Sequence, residues 1–204
     1  MKIILGTKEK MTQLFGEDGK VFPATILNAG PVVITQVKTI NVDGYEAVQV
    51  GYGEKKAHNI NKAKKGHLKD LGNFRYLKEF RLALNDEAKV GTKIEADVFA
   101  SGDRVNLVSI SKGKGFQGVV KRHGFAGGPR THGQKHSERE PGSIGGRGRA
   151  GGRVSKGMRM GGRMGGDRVT VHGVQILQVN KDANQIIVKG GVPGRRGTLV
   201  EIQG

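Results

Sequence analysis

Apolar and polar residues alternate along several short stretches of this chain. Every second residue is apolar in the ranges 48–52, 94–100 and 105–107. The turn-forming residues Ser101–Asp103 separate the second of these stretches from the third. Because successive side chains of a strand point to opposite faces of a sheet, this period of two predicts β-strands, and the last two stretches predict a hairpin.

A change of phase marks one further strand. Val169 and Val171 share one face, whereas Val174 and Ile176 fall out of phase with them across His172-Gly173. One extra residue in a strand has this effect on the alternation. The pattern therefore predicts a single strand with a β-bulge at these two residues.

The remaining pattern indicates the fold class. Turn residues at 181–184 lead into a predicted strand at Gln185–Lys189, and another strand is predicted around 198–202, after the glycines of 190–194. Helical patterns occur at Asn61–Leu71 and, more weakly, at Leu77–Leu84. Since strands and helices do not alternate as in a parallel α/β fold, we predict a mainly β fold, a barrel or sandwich with one or two short helices.

The charge of the chain requires a polyanionic partner. Its 204 residues include 35 Lys plus Arg against 18 Asp plus Glu, which gives a formal net charge of +17. There is no cysteine, which excludes disulfides, thiolate metal sites and a thiol nucleophile and fits a reducing compartment. No stretch has the length and apolar character of a membrane span or of a secretory signal, so we expect a cytosolic protein with no membrane partner.

Charge and glycine are concentrated in one internal segment, residues 111–168, which we call the excursion. It holds 14 Lys plus Arg, three acidic residues, 18 of the 35 glycines and two aromatic residues, Phe116 and Phe125. So little apolar surface cannot offset the entropy of ordering, and we expect a long loop without structure of its own. The predicted organisation is a β body at 1–110, this loop at 111–168, and the closing strands of the body at 169–204. A disordered tail is the alternative, but the excursion is internal and predicted strands flank it.

The composition of the excursion favours RNA binding. Glycine allows the backbone to pass through narrow spaces, and arginine presents a planar fork to phosphates and can stack on bases. So dense a set of basic side chains with few acidic neighbours repels itself unless phosphates neutralise it. We therefore expect RNA contact rather than a solvated basic surface.

One glycine motif in the excursion resembles half of a dinucleotide-binding fingerprint. Gly113–Gly118 matches G-x-G-x-x-G and follows a predicted strand, but no helix is predicted after Gly118, and Glu138 lies in polar sequence rather than at the end of a strand. A nucleotide cofactor is therefore not expected, and no small-molecule substrate is predicted.

Metal and catalytic motifs are also incomplete. His132 and His136 are four residues apart, but Gly133 stands where a zinc protease has glutamate, and no third ligand is apparent. The triplet His136-Ser137-Glu138 lacks the two cysteines of a deaminase site. Ser143 does not lie in a G-x-S-x-G nucleophile elbow. We predict no catalytic residue, no metal and no cofactor.

Several longer motifs resemble one family. Residues 115–125, Gly-Phe-Gln-Gly-Val-Val-Lys-Arg-His-Gly-Phe, are similar to the signature of the large-subunit ribosomal protein three family, and 141–145, Pro-Gly-Ser-Ile-Gly, resemble the tip of its bacterial form. Further segments resemble that family in the right order along nearly the whole chain, at 6–15 with 17–19, 32–38, 47–53 with 55–57, and 188–194.

The resemblance implies a β-barrel body of the translation-protein type and a long loop that extends through rRNA toward the peptidyl-transferase centre. It also implies a role in early assembly of the large subunit near the 3′ part of its rRNA, and neighbouring large-subunit proteins as partners. The implied tip near the catalytic centre is Gly142, Ser143, Ile144, Gly145, Arg147 and Arg149. Some bacterial relatives carry a methylated glutamine directly after this Gly-Ser-Ile-Gly run; here Gly146–Arg149 follow, which argues against that modification.

The basic residues and histidines of the excursion are the predicted rRNA-binding side chains. They are Lys112, Lys114, Lys121, Arg122, His123, Arg130, His132, Lys135, His136, Arg139, Arg147, Arg149, Arg153, Lys156, Arg159, Arg163 and Arg168. Together with the resemblance, they predict a non-enzymatic ribosomal protein of the cytoplasm. Two alternatives remain open at this point, an RNA-modifying or RNA-cleaving enzyme and a free RNA chaperone.

Overall fold

The computed structural model describes residues 2–16, 18–81, 89–145 and 151–204 and divides the chain into two compact units. The first unit comprises Met1–Ile110 and Arg168–Gly204, and the second comprises Ser111–Asp167. Arg168, the last residue of the excursion, therefore belongs to the first unit. The strands confirm the predicted mainly β class.

The first unit contains a closed barrel of six strands. The strands are β1 (Ile3–Phe15), β2 (Val21–Ala29), β7 (Arg104–Ile110), β10 (Arg168–Asn180), β11 (Gln185–Lys189) and β12 (Leu199–Gln203). They pair in the order β1-β12-β7-β10-β11-β2, and β2 closes the ring on β1; all these pairs are antiparallel. Because the ring is closed, each of its six strands has a neighbouring strand on both sides.

Alternation along the strands fills the barrel. Val105 and Leu107 of β7 are buried, as are Val200 and Ile202 of β12. The buried hydroxyl of Ser109 continues the β7 series and donates to the carbonyl of Leu199 at 2.8 Å, so burial leaves no unpaired polar group there. The predicted strands at 105–107, 185–189 and 198–202 are thus confirmed.

A second sheet of the same unit has four strands. They are β3 (Val32–Lys38), β4 (Ala47–Glu54), β5 (Phe74–Phe80) and β6 (Lys93–Ile94), in the order β5-β4-β3-β6. Buried Val48 and Val50 of β4 share one apolar core with Leu5 and Leu27 of the barrel. The predicted strand at 48–52 lies in the centre of this sheet.

Two details of the sequence prediction are confirmed in the first unit. The register between β10 and β7 shifts between Val171 and Val174, which is the predicted bulge. Helix α2 (Lys62–Leu68) and the 3₁₀ turn Lys69–Leu71 occupy the predicted helical window. The side chain of Asn61 caps this helix by accepting a hydrogen bond from the amide of Lys64 at 2.9 Å.

Two other predictions in this unit are wrong. The range 94–100 is not a strand, because β6 ends at Ile94 and Ala96–Val98 forms a 3₁₀ turn. Nor does it pair with β7 as a hairpin, since β10 and β12 occupy the two edges of β7. Residues 77–80 are not helical but belong to β5, which pairs with β4, and Arg81 after them is not helical either. The rest of the predicted helix, 82–84, lies outside the described residues.

The second unit contains more regular structure than the sequence predicted. Strands β8 (Gly115–Gln117) and β9 (Gly162–Met164) pair antiparallel, helix α3 spans Val119–His123, and a 3₁₀ turn spans Ser137–Arg139. The expectation that the excursion lacks structure of its own is therefore wrong near both of its ends. The first unit also contains the short helix α1 (Ile40–Asp43) and a 3₁₀ turn at Ala57–Asn59.

Candidate nucleic-acid interface

The two arms of the second unit are joined where they begin and end. The amide of Ser111 donates to the carbonyl of Asp167 at 2.8 Å, and the amide of Asp167 donates back to the Ser111 hydroxyl at 3.2 Å. The next contact inward is from the amide of Lys114 to the carbonyl of Met164 at 2.9 Å, and the β8–β9 pairing follows. We call residues 111–117 and 162–167 the root. It places two predicted rRNA-binding residues on its two arms, Lys114 directly before β8 and Arg163 within β9.

Helix α3 follows directly after the root. It is capped by Gly124, whose amide donates to the carbonyl of Val120 at 3.0 Å. The backbone φ of Gly124 is 73°, a conformation that favours glycine. The Arg122 guanidinium donates to the carbonyl of Met160 at 2.8 Å, and the His123 ring lies 3.0 Å from the same oxygen. A backbone carbonyl across the unit therefore fixes the positions of both side chains.

The sequence predicted no helix after Gly118, and α3 shows that this prediction is wrong. The correction does not restore the dinucleotide fingerprint, for two reasons. A helix of five residues presents little dipole, and in the described part of the chain β8 pairs only with β9, antiparallel, instead of with a parallel strand of a βαβ unit. A nucleotide site is still not supported.

Hydrogen bonds join residues within the middle of the second unit, between 128 and 138. The Arg130 side chain donates to the Glu138 carboxylate at 2.7 Å, and the amide of Gly128 donates to the Glu138 carbonyl at 3.1 Å. The Ser137 hydroxyl donates to the side-chain oxygen of Gln134 at 2.6 Å. His132 and His136 are both exposed on this segment. Across the described ranges, no group of three or more potential metal ligands converges, so the pair has no support as a metal site.

The predicted tip is described in part. Gly142, Ser143, Ile144 and Gly145 are exposed, and the Ser143 hydroxyl donates to the carbonyl of Gly145 at 3.3 Å. Its hydrogen-bond partner is thus a backbone oxygen of its own turn and not a catalytic base. Arg147 and Arg149, the other predicted tip residues, lie outside the described residues.

The predicted basic side chains of the second unit are available to a ligand. Those described are exposed: Lys112, Lys114, Lys121, Arg122, Arg130, Lys135, Arg139, Arg153, Lys156, Arg159 and Arg163. Among these, Arg130 alone forms an ion pair within the described part of the chain. Since exposed ion pairs contribute about 0–1 kcal/mol, even Arg130 could exchange Glu138 for a phosphate at small cost. The unit presents positive charge that its own acidic residues do not neutralise.

Arg168 differs from the other predicted residues. Its guanidinium donates to the Glu201 carboxylate at 2.6 Å, and Lys78 approaches the same carboxylate at 3.0 Å. The Glu201 side chain is 9% exposed, and the two cations offset part of the cost of burying its charge. The structure gives Arg168 a partner inside the body, where it links β10 to β12.

Sequence analysis missed two features. The first is Phe116 of β8, whose side chain is 79% exposed beside the basic residues of the root. The second is a basic segment of the first unit, Lys55–Lys69, with six lysines and two histidines and no acidic residue. Its lysines form no ion pair in the described ranges, and buried Ile60 and Leu68 anchor it. Its charge run was visible in the sequence, whereas the exposure of Phe116 was not.

No helix among the described residues has the length and apolar character needed to cross a membrane.

Comparison with known proteins gives one consistent result. A family model described as Ribosomal protein L3 matches residues 54–187. Large ribosomal subunit protein uL3 of Herpetosiphon aurantiacus is 48% identical over 200 residues, which cover 98% of this chain and 94% of that protein. The proteins of the same name from Carboxydothermus hydrogenoformans and Bacillus thuringiensis are 46% and 45% identical, over 99% and 100% of this chain and 96% of each relative.

Proposed function

Because the chain belongs to the ribosomal protein L3 family, we propose that it is a structural constituent of the large ribosomal subunit that binds large-subunit rRNA through its second unit. The observation that carries this proposal is the set of exposed basic side chains of that unit, nearly all without an acidic partner in the described residues. Phosphates are the ligand that neutralises such a set, and binding then releases counterions.

The proposed partners are the large-subunit rRNA and neighbouring large-subunit proteins in the cytoplasmic ribosome. The proposed course of the excursion is inward through rRNA, with Gly142–Gly145, Arg147 and Arg149 at a tip near the peptidyl-transferase centre. What supports this course is the similarity of residues 115–125 and 141–145 to the family's motifs. We further propose a role in early assembly near the 3′ part of the rRNA, which rests on the same similarity.

The division of labour between the units follows from their chemistry. The first unit buries an apolar core shared by its two sheets, whereas the described basic residues of the glycine-rich second unit are exposed. Arg, Lys and exposed backbone amides contact phosphates without reading base sequence. The protein therefore recognises rRNA by charge and shape, and any chemistry at the catalytic centre belongs to the RNA.

Crosslinking in cells followed by RNA sequencing tests the proposal. We expect one footprint on the large-subunit rRNA. Crosslinks spread over many unrelated RNAs would instead support a free RNA chaperone. The matched control is a full-length variant in which the basic residues of 127–156 are replaced by glutamine, which should lose the crosslinks from that segment and keep the rest.

The enzyme alternative has a separate test. Individual alanine substitutions of His132, His136 and Ser143 should affect RNA binding or assembly and abolish no chemical step, because their contacts form no catalytic set. If the purified protein turned over an RNA and one of these substitutions removed that turnover, the result would support the enzyme alternative over a purely structural role.

A further inference from the structure

Phe116 is the most exposed aromatic residue of the second unit. Its side chain is 79% exposed, whereas Phe125, the other aromatic residue of that unit, is half-buried with its ring 6.0 Å from that of His123. Single exposed apolar residues are common on protein surfaces, so exposure alone carries no conclusion. The surroundings of this ring are what distinguish it.

The backbone of the root holds the ring in a defined place. In the β8–β9 register, Phe116 lies opposite Arg163. A β-carbon added to Gly161 would lie 3.3 Å from Cε1 and 3.4 Å from Cζ of the ring, so the ring rests beside the bare backbone of that glycine. At Gly113, Gly115 and Gly118 an added β-carbon would meet nothing within 4 Å, so there is open space beside each of these three glycines.

The charge around the ring selects the class of ligand. Lys114 and Arg163 are exposed and form no ion pair within the described residues. A ligand that fits must combine a flat apolar face with negative charge. An unpaired nucleotide has both, since its base offers a π-face and its phosphates are anionic.

We propose that Phe116 is a stacking platform for an unpaired nucleobase of bound RNA, with Lys114 and Arg163 contacting the phosphates on either side. The inference rests on the proposed function, because it adds one base contact to the unit that binds RNA through charge. It gives the root a contact with an RNA base, which the basic side chains that meet phosphates do not provide. Stacking accepts any base, so the site favours unpaired over double-stranded RNA rather than one sequence.

The chain contains no tryptophan, which allows a direct test. The full-length Phe116→Trp variant carries a single indole at the proposed platform. The matched control is Phe15→Trp, because Phe15 is also an exposed phenylalanine, at 71%, but lies in β1 of the first unit. The probe is an in vitro transcript of the 3′ part of a bacterial large-subunit rRNA, added to each variant while tryptophan emission and RNA anisotropy are recorded.

We expect the transcript to bind both variants and to quench the emission of the Phe116→Trp variant alone. Full-length Phe116→Leu keeps an apolar side chain but loses the ring, and it should bind the transcript about fivefold or more weakly with an unchanged salt dependence. Phe15→Leu should bind as the unsubstituted protein does.

The outcomes separate the inference from the proposed function. If the transcript binds and quenches neither indole, or both equally, the stacking site is wrong and rRNA binding by charge stands. If the emission of the Phe116→Trp variant changes only when neighbouring large-subunit proteins are added, the ring contacts protein instead. If the unsubstituted protein does not bind the transcript, both the stacking site and the proposed function fail.

Discussion

Deleting residues 127–156 and joining the ends with a short glycine linker should leave a folded protein whose RNA affinity depends much less steeply on salt. The structure indicates why the rest survives. The β8–β9 pairing, the closure between Ser111 and Asp167, and the contacts of Arg122 and His123 with Met160 all lie outside the deleted range. Arg130 and Glu138, which pair with each other, are removed together, so no charge is left unpaired.

The size of the effect follows from the charges removed. The deletion takes away seven basic side chains and two acidic ones, Glu138 and Glu140. Each phosphate contact contributes roughly 0.7–0.9 to the slope of log affinity against log salt. If all seven side chains meet phosphates, the slope flattens by about 5–6 units, and if Arg130 keeps Glu138 as its partner, by about 4–5.

The assay is a salt titration of binding to the rRNA transcript. It compares the unsubstituted protein, the deletion variant and a full-length variant in which the same seven basic residues are replaced by glutamine. Deletion and charge removal should flatten the slope equally, because the contribution is electrostatic. A third variant with the lysines of Lys55–Lys69 replaced by glutamine measures the share of the first unit. Thermal unfolding of each variant checks that the barrel is intact.

An unchanged slope in the deletion variant would refute this reasoning. Recognition would then belong to the first unit, and the variant of Lys55–Lys69 should show the loss instead. A loss on deletion without a loss on glutamine substitution would mean that the shape of the chain, and not its charge, makes the contact.

Three further substitutions test the structural account. Gly127→Ala should speed hydrogen exchange across 127–140 more than Gly133→Ala, because both glycines have φ near 80° but only the first would bring a β-carbon into collision with a carbonyl. Glu201→Gln should lower the stability of the first unit by about 1–2 kcal/mol in thermal unfolding, since a buried carboxylate loses its charge while its two cations remain partly solvated. A hydrogen bond from Lys2, then one from the Ala100 amide, lowers the pKa of Asp103. Its stabilising contribution is therefore present above the ordinary carboxyl pKa and lost as the pH falls through the lowered pKa, and Asp103→Asn should reduce that acid-side loss in pH-dependent unfolding.

The period of two predicted strands correctly where burial has the same period. Val48 and Val50, or Val105 and Leu107, face the core at every second position, so sequence and sheet agree. The same pattern was misleading at 94–100, where Ala96 is buried within a 3₁₀ turn instead of a strand. A short apolar run records which residues are buried, but not which backbone conformation buries them.

Helix α3 shows a limit of a different kind. Val119 and Val120 are β-branched, and the five-residue helix has little intrinsic stability. Its Arg122 and His123 contact the Met160 carbonyl, nearly forty residues further along the chain, and Val119 is buried. Contacts of that sequence separation stabilise the helix, and local propensity does not reveal them.

The structure also changes what the glycines of the excursion imply. From composition alone, we expected them to let the backbone of a loop without structure of its own pass through narrow spaces. At Gly165, however, an added β-carbon would collide with the Lys112 carbonyl, so glycine is needed there for the two arms of the root to meet. If the root binds RNA as proposed, its backbone at Lys114, Phe116 and Arg163 is already ordered, and groups ordered before binding add affinity without a further entropic cost. The charges of the rest of the excursion should contribute chiefly through the number of phosphates that they reach.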